Sequence, residues 1–116
     1  MSSTRIFASE LCMHATDGEP IRSIVTESPD ATVVAWNVLP GQRIACHIHP
    51  HGQDTWTILS GRGAYQIDAG SESRTIVADD VVVAHRGQVH GVRTLGAEPL
   101  CFISVVTPSE AGYALV

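Results

Sequence analysis

Three histidines stand at alternate positions in one short stretch of the chain. His47, His49 and His51 are each two residues apart, and Asp54 follows five residues after His49. Because side chains at alternate positions of a β-strand point to the same face, at least two of these imidazoles should converge. Imidazole and carboxylate groups are common ligands of zinc, iron, nickel and related ions. The spacing therefore indicates a metal site, and His90 is a further candidate ligand from later in the chain.

The composition excludes several other kinds of chemistry. The chain has 116 residues with six histidines and no lysine, and its seven arginines oppose twelve acidic residues for a formal net charge of −5. Without lysine there can be no Schiff-base lysine and no P-loop lysine. The dispersed arginines form no basic stripe of the kind that nucleic-acid binding requires. We therefore expect a small-molecule ligand, and neither nucleic acid nor a membrane surface as a partner.

The sequence also has the character of a folded domain from a reducing compartment. Its hydrophobic content of 44% and charged content of 16% are typical of compact domains. The N-terminal stretch MSSTRIFASELCMHATDG lacks the apolar segment of a signal peptide. Cys12, Cys46 and Cys101 form no C-x-x-C pair and leave one thiol unpaired. We expect a cytoplasmic protein.

The elements that must position the histidines are predicted to be β-strands. Apolar residues occur in short β-branched runs separated by Gly, Pro, Asn or Asp, without a sustained helical period. This pattern predicts an all-β fold, either a sandwich or a barrel. We expect an N-terminal arm over residues 1–20, which could add to a sheet edge, and one domain over residues 21–116. The predicted strands are Ile21–Thr26, Ala31–Leu39, Arg43–His49, Thr55–Ser60, Ala64–Asp68, Arg74–Ala78, Val81–Ala84, His90–Leu95 and Leu100–Thr107.

The histidine stretch carries a family resemblance. From Gly41 to Gly61 the chain reads G-x5-H-x-H-x4-D-x6-G, which resembles the first motif of the cupin family with Asp54 in place of the usual glutamate. With its flanking strands, the resemblance covers about residues 30–107.

A second cupin motif, G-x5-P-x-G-x2-H-x3-N, is matched less completely. Gly87 and His90 stand at the positions of its second glycine and its histidine. Asp79, His85 and Thr94 replace its first glycine, its proline and its asparagine. The loop glycine and the histidine are thus the parts of this motif that the chain keeps.

The resemblance implies a double-stranded antiparallel β-barrel, or jelly roll, with one divalent transition metal ion inside, for which Fe, Mn, Ni, Zn and Co are all suitable. His47, His49 and His90 match the three histidine ligands of the family, and Asp54 matches its carboxylate. Aspartate is one methylene shorter than glutamate, so Asp54 could bind directly or through a water. Gln53 is the alternative ligand if the turn is read one residue shorter.

Three further residues are candidates for the surroundings of the ion. If its strand begins at Arg43, alternation places this arginine on the same face as His47, where it could clamp a substrate carboxylate, unless it is solvated in the preceding turn. Trp56 shares the parity of Asp54 and could line the substrate pocket or belong to the core. His51 lies at a strand end, where it could be a ligand or a proton carrier at the pocket mouth.

Three functions are compatible with these features. One is a metal-dependent enzyme for a small oxygenated or carboxylated molecule, of dioxygenase, isomerase, decarboxylase or lyase type; open coordination positions favour it. The second is a non-catalytic module that binds or senses a small molecule, and the third is a relic whose metal serves stability. Since small cupins commonly pair, we also expect a homodimer. The outward residues Cys46, Ile48 and Cys101 are a possible surface for it, unless burial within the barrel wall explains them.

Overall fold

The short apolar runs become β-strands in a computed structural model that describes residues 4–70 and 72–116. All nine predicted strands are present, so the prediction of an all-β fold is confirmed. Within the described ranges the other regular elements are a 3-10 turn at Ser9–Cys12 and one short additional strand. The strands are β1 (Ser23–Glu27), β2 (Thr32–Val38), β3 (Arg43–Ile48), β4 (Gln53–Ser60), β5 (Arg62–Gln66), β6 (Ser73–Val77), β7 (Val81–Ala84), β8 (His90–Leu95), β9 (Leu100–Thr107) and β10 (Ala114–Leu115).

The strands form two five-stranded antiparallel sheets that enclose one core. Their orders are β1-β2-β9-β4-β7 (sheet A) and β10-β3-β8-β5-β6 (sheet B). In β9, buried and half-buried residues alternate along the whole strand, as expected when one face points inward. The large buried side chains between the sheets include Trp56, Ile58, Leu100 and Phe102. This arrangement is the double-stranded barrel that the family resemblance implies.

The connection from β3 to β4 crosses from sheet B to sheet A beside the predicted metal site. It passes so close to the C-terminal segment that a Cβ on Gly52 would lie 2.4 Å from the Thr107 carbonyl oxygen and 2.6 Å from Cβ of Ala111. Only glycine fits this crossing. Strand β4 also begins at Gln53, two residues earlier than predicted, so Asp54 lies in the strand and not in the turn.

A β-bulge interrupts β3 directly before the first histidine. Ile44 is paired with Val92 and His47 with His90, so three steps along β3 match two steps along β8. The extra residue inverts the side-chain alternation between Ile44 and His47. Gly91 faces the bulge, where a Cβ would lie 2.9 Å from the Ile44 carbonyl oxygen.

The second motif keeps its backbone conformation despite its substitutions. Asp79, at the position of the family's first glycine, has a φ of 76°, in the left-handed region that favours glycine. Its amide donates to the Ile58 carbonyl at 2.8 Å. Thr94, at the asparagine position, is buried and donates to the Val38 carbonyl at 2.8 Å.

Both ends of the chain lie against the barrel. The first three residues of the predicted arm are outside the described part, and residues 4–20 contain no strand. The side-chain amide nitrogen of Gln42 donates to the carbonyls of Thr16 and Gly18, each at 2.6 Å. At the other end, β10 pairs with β3 at His47 and Ile48. Across residues 4–70 and 72–116, no helix is long and apolar enough to cross a membrane. The division into an arm and a domain stays a prediction.

Candidate metal centre

Four side chains from three strands and one loop converge between the sheets. They are His47 on β3, His49 just beyond its end, Asp54 on β4 and His90 at the start of β8. One potential ligand atom from each lies within 4.8 Å of the others, and no other such group of three or more occurs in the described ranges. Asp54 and not Gln53 belongs to this group; Gln53 lies beside a separate surface groove with His85.

Backbone carbonyls fix the orientation of all three imidazoles. Nδ1 of His47 lies 2.7 Å from the Ala45 carbonyl oxygen, and Nδ1 of His49 lies 2.7 Å from that of Gly112. Nδ1 of His90 lies 3.1 Å from the Gln88 carbonyl oxygen. Because a carbonyl can only accept, each Nδ1 carries the proton and donates it. In the neutral rings the Nε2 atoms therefore hold lone pairs, as a metal ligand must.

The Asp54 carboxylate divides its two oxygens between different partners. Oδ1 accepts a hydrogen bond from the Ser104 hydroxyl at 2.5 Å. Oδ2 lies 3.1 Å from Nε2 of His90 and 3.3 Å from Nε2 of His49. The buried His49 Nε2 nevertheless has no hydrogen-bond partner of good geometry among the described residues.

The electrostatics of the cluster follow from its burial and its one carboxylate. Burial, together with the neighbouring His90, lowers the pKa of His47 to about 4. Burial alone would raise the pKa of Asp54, but the close imidazoles of His49 and His90 and the hydrogen bond from Ser104 outweigh this and bring it well below its usual range. Burial would lower the pKa of His49, but its contacts with Asp54 and the Gly112 carbonyl outweigh this and raise it.

The residues present fit a divalent transition metal ion. Lone pairs on the imidazole Nε2 atoms and a carboxylate oxygen face one another across short distances, and they repel unless a proton or a cation lies between them. The unpartnered Nε2 of His49 gains a partner if an ion is bound. Three imidazoles and one carboxylate form a mixed N/O donor set that suits Fe, Mn, Ni, Zn or Co.

The cluster opens on one side into a cavity of about 470 Å³. His47, His49 and Asp54 lie in its lining, whereas His90 lies behind them. The opposite walls are mainly aliphatic and aromatic, and one basic side chain lies among them. The lining outside the cluster consists of Arg22, Val34, Trp36, Ile44, Ser104, Val106, Ser109, Gly112 and Tyr113.

The expectation that Arg43 shares this cavity is wrong. Arg43 is exposed and is not part of the cavity lining. The bulge between Ile44 and His47 reverses the alternation on which the expectation depended, so that Ile44 faces the cavity instead. No local sequence signal marks the bulge, although Gly91 permits it from the opposite strand.

Trp56 and His51 also lie outside the cavity. Trp56 is 2% exposed and belongs to the core, where its ring stacks on Phe102 at a centroid distance of 4.3 Å. It touches the cluster only from behind, edge-on to His90 at 5.7 Å. His51 is exposed in a separate groove beside Glu110. Its expected position at the pocket mouth is wrong, because the chain turns towards β4 directly after His49.

Several cavity residues were not singled out by the sequence analysis. Ser104 could have been found, because it is a polar residue at an inward position of the apolar strand β9. Arg22 directly precedes β1, and Tyr113 lies in the C-terminal segment with its ring 5.1 Å from that of His47. Both reach the site through long-range packing that no local pattern reveals.

Solved structures that superimpose on this chain share its fold. An uncharacterized conserved protein with a double-stranded beta-helix domain from Klebsiella pneumoniae superimposes with a TM-score of 0.94 and 46% identity over 98% of each chain. TT1209 from Thermus thermophilus has a TM-score of 0.82 and 22% identity over 90% of this chain and 98% of its own. An oxalate oxidase has a TM-score of 0.78 and 17% identity over 96% of this chain and 63% of its own.

Comparison with proteins of curated function finds no match. A family model described as the cupin domain matches residues 34–106, a range that begins in β2, ends in β9 and includes all four residues of the cluster. This range, the two-sheet barrel and the position of the histidines agree with one another. The chain therefore belongs to the cupin domain family.

Proposed function

We propose that this protein is a metal-dependent enzyme that acts on a small oxygenated or carboxylated molecule. The observation that carries the proposal is the opening of the four-residue cluster onto a cavity of about 470 Å³. Structural metal sites are closed by protein ligands, whereas catalytic sites keep a position open towards the substrate. A cavity of this size lies within the range of small-molecule sites.

Different residues of the chain would have different roles in such a site. His47, His49, His90 and Asp54 would hold the ion, which when bound supplies Lewis-acid or redox activation of an oxygen-bearing molecule. The apolar walls exclude water from this molecule and confine it beside the ion. Among the lining residues, Tyr113 has the one phenolic group, and it is the proton carrier that we propose in place of His51.

One observation favours a second function, a non-catalytic module that binds or senses a small molecule. Outside the cluster, the lining described above contains no histidine and no carboxylate. A general base of the usual kind is therefore missing from the cavity wall. The oxalate oxidase named above shares the fold alone, and a shared fold does not select a reaction.

Metal content and turnover test the proposal together. Protein purified without a histidine tag, after growth with Fe, Mn, Ni and Zn supplied, is expected to hold about one ion per chain. The His47→Ala, His90→Ala double variant is expected to hold none. The loaded protein is then screened for oxygen uptake and substrate loss with diols, hydroxy acids and keto acids. If the parent protein holds no metal, the proposed enzyme function is refuted. If the metal-loaded parent consumes neither oxygen nor any substrate of the panel, the result favours the binding module.

Two further properties remain predictions. The described cysteines form no disulfide, which supports a cytoplasmic location. A homodimer is tested by light scattering. The suggested surface is not one patch, because Cys46 and Ile48 lie in sheet B whereas Cys101 lies in sheet A.

A further inference from the structure

Arg22 is the one basic side chain, apart from the imidazoles of the cluster, in the lining of the cavity. It directly precedes β1 and is exposed at the cavity mouth. It lines the same cavity as His49 and Asp54 of the cluster. A cation so near to metal ligands weakens the binding of a positive ion, so its position calls for another explanation than metal binding.

No carboxylate in the described ranges neutralises this guanidinium. The ion pairs within 4.0 Å in those ranges join Asp54 to His49 and to His90, and none includes Arg22. The two oxygens of Asp54 are occupied by Ser104 on one side and by the imidazoles on the other. Arg22 is thus free to pair with an anion that enters the cavity.

The cavity walls outside the cluster are suited to an apolar molecule. Val34, Trp36 and Ile44 line one part of the cavity, and Val106 and Tyr113 line another. These side chains offer aliphatic and aromatic surface and few hydrogen-bonding groups. The ligand that matches this lining has a single anionic end and an apolar body.

We propose that Arg22 determines substrate specificity by pairing with the carboxylate of a small aromatic or branched aliphatic monocarboxylate. The planar guanidinium can donate two parallel hydrogen bonds to the two carboxylate oxygens, which an ammonium group cannot do. The apolar body of the substrate lies against Trp36 and Tyr113. This inference rests on the proposed function, because it names the substrate class of the same site.

A matched pair of probes isolates the role of the charge. Benzoate and benzamide have nearly the same size and shape but differ in charge, and their binding to the metal-loaded protein is measured by calorimetry. We expect the parent to prefer benzoate. Arg22→Gln should lose about tenfold or more in benzoate affinity and keep its benzamide affinity, because a charge-assisted pair is lost. Arg22→Lys should restore only part of the preference.

Arg43→Gln is the control, because Arg43 is an exposed arginine of β3 outside the cavity lining. This variant should bind both probes as the parent does. Metal content and thermal stability are measured for every variant and should stay unchanged, because both arginines are exposed and neither belongs to the ligand cluster. A parent without a preference for benzoate, or an Arg22→Gln variant that retains it, overturns the inference. Absence of metal-dependent turnover overturns the proposed function instead, because the probe assay does not depend on turnover.

Discussion

The aspartate in the cluster is short for its position in the family, yet it reaches the histidines. Its Oδ2 lies 3.1 Å from the His90 Nε2, and the Ser104 hydroxyl holds Oδ1 from the opposite side. Ser104 is only 2% exposed, so this hydrogen bond is sheltered from water. The serine thereby directs one carboxylate oxygen, and not both, towards the imidazoles.

Replacement of Ser104 by alanine should therefore weaken metal binding without removing any ligand. Outer partners of metal ligands typically contribute roughly 10–100-fold to affinity, and we expect a loss of about tenfold. The measurement is a competitive titration against a chelator of known affinity. Ser60→Ala, at the exposed end of β4, is the control. Equal affinities for the two variants would mean that Ser104 does not position Asp54.

At the level of single residues, the sequence predicts those side chains whose neighbours along the chain explain them. His47, His49 and Asp54 lie within eight consecutive positions, and period two places the histidines on one face. Arg22 and Tyr113 are far from this stretch, and neither has a local feature that connects it with the site. Only the paths of the chain ends bring them to the cavity.

Among the elements, β3 shows why alternation alone misplaced an arginine. A regular strand would put Arg43, Ala45 and His47 on one face, but the bulge adds a residue between Ile44 and His47. Such bulges depend on the partner strand, and here Gly91 leaves room for one. Counting alternate positions back from His47 therefore assigns Arg43 to the wrong face of the strand.

The C-terminal segment is a second element that the strand pattern did not reveal. Its strand β10 has only two residues, too few to give a period. The segment still shapes the site, because the Gly112 carbonyl accepts from His49 Nδ1 at 2.7 Å. Ala111, just before it, is fully buried and accepts from the His51 amide.

Gly112→Ala should disturb the metal centre through this backbone contact. Gly112 has a φ of 79°, and an added Cβ would lie 3.2 Å from Cδ of Pro50. The left-handed conformation costs alanine about 1 kcal/mol, and a shift of the carbonyl loosens His49. We expect a lower melting temperature and weaker metal binding, measured by calorimetry and by metal titration.

Gly41→Ala separates these two effects. Gly41 has a φ of 85°, and a Cβ there would meet nothing within 4 Å. This variant should lose a similar amount of stability and bind metal as the parent does. If both alanine variants bind metal equally well, the Gly112 carbonyl does not control His49.

On the scale of the whole molecule, the candidate centre spans both sheets. His47 and His90 belong to sheet B, and Asp54 belongs to sheet A. An ion held by all of them binds the folded barrel and not the unfolded chain, in which these residues are apart. Binding of this kind stabilises the folded state by mass action.

Metal should accordingly raise the melting temperature. At a free ion concentration 100 times Kd, the free energy of unfolding should rise by about 2.7 kcal/mol. For a domain of this size we expect Tm to increase by about 10 °C. Thermal melts with and without the ion measure the change, and the His47→Ala, His90→Ala variant should show none. An equal shift in that variant would place the bound ion elsewhere.

Most of the fold was predictable because its strands are punctuated by recognisable turns. The nine longer strands follow from β-branched runs between Gly, Pro, Asn and Asp. The pattern alone leaves sandwich and barrel as alternatives, and the resemblance of residues 30–107 favours the barrel. The order of strands within the sheets depends on long-range pairs such as β2 with β9, which no local pattern contains.

The two tryptophans of the chain lie in sheet A, where both rings stack on Phe102. Trp36 lines the cavity, and Trp56 lies edge-on to His90 with 5.7 Å between the ring centroids. The intrinsic fluorescence of this protein therefore originates almost entirely beside the site. Paramagnetic ions such as manganese, cobalt or nickel should quench the tryptophan fluorescence over this short distance, whereas zinc should not quench it. The two tryptophans are thus intrinsic fluorescent probes of the site. An emission spectrum would distinguish a bound paramagnetic ion from bound zinc without any added label.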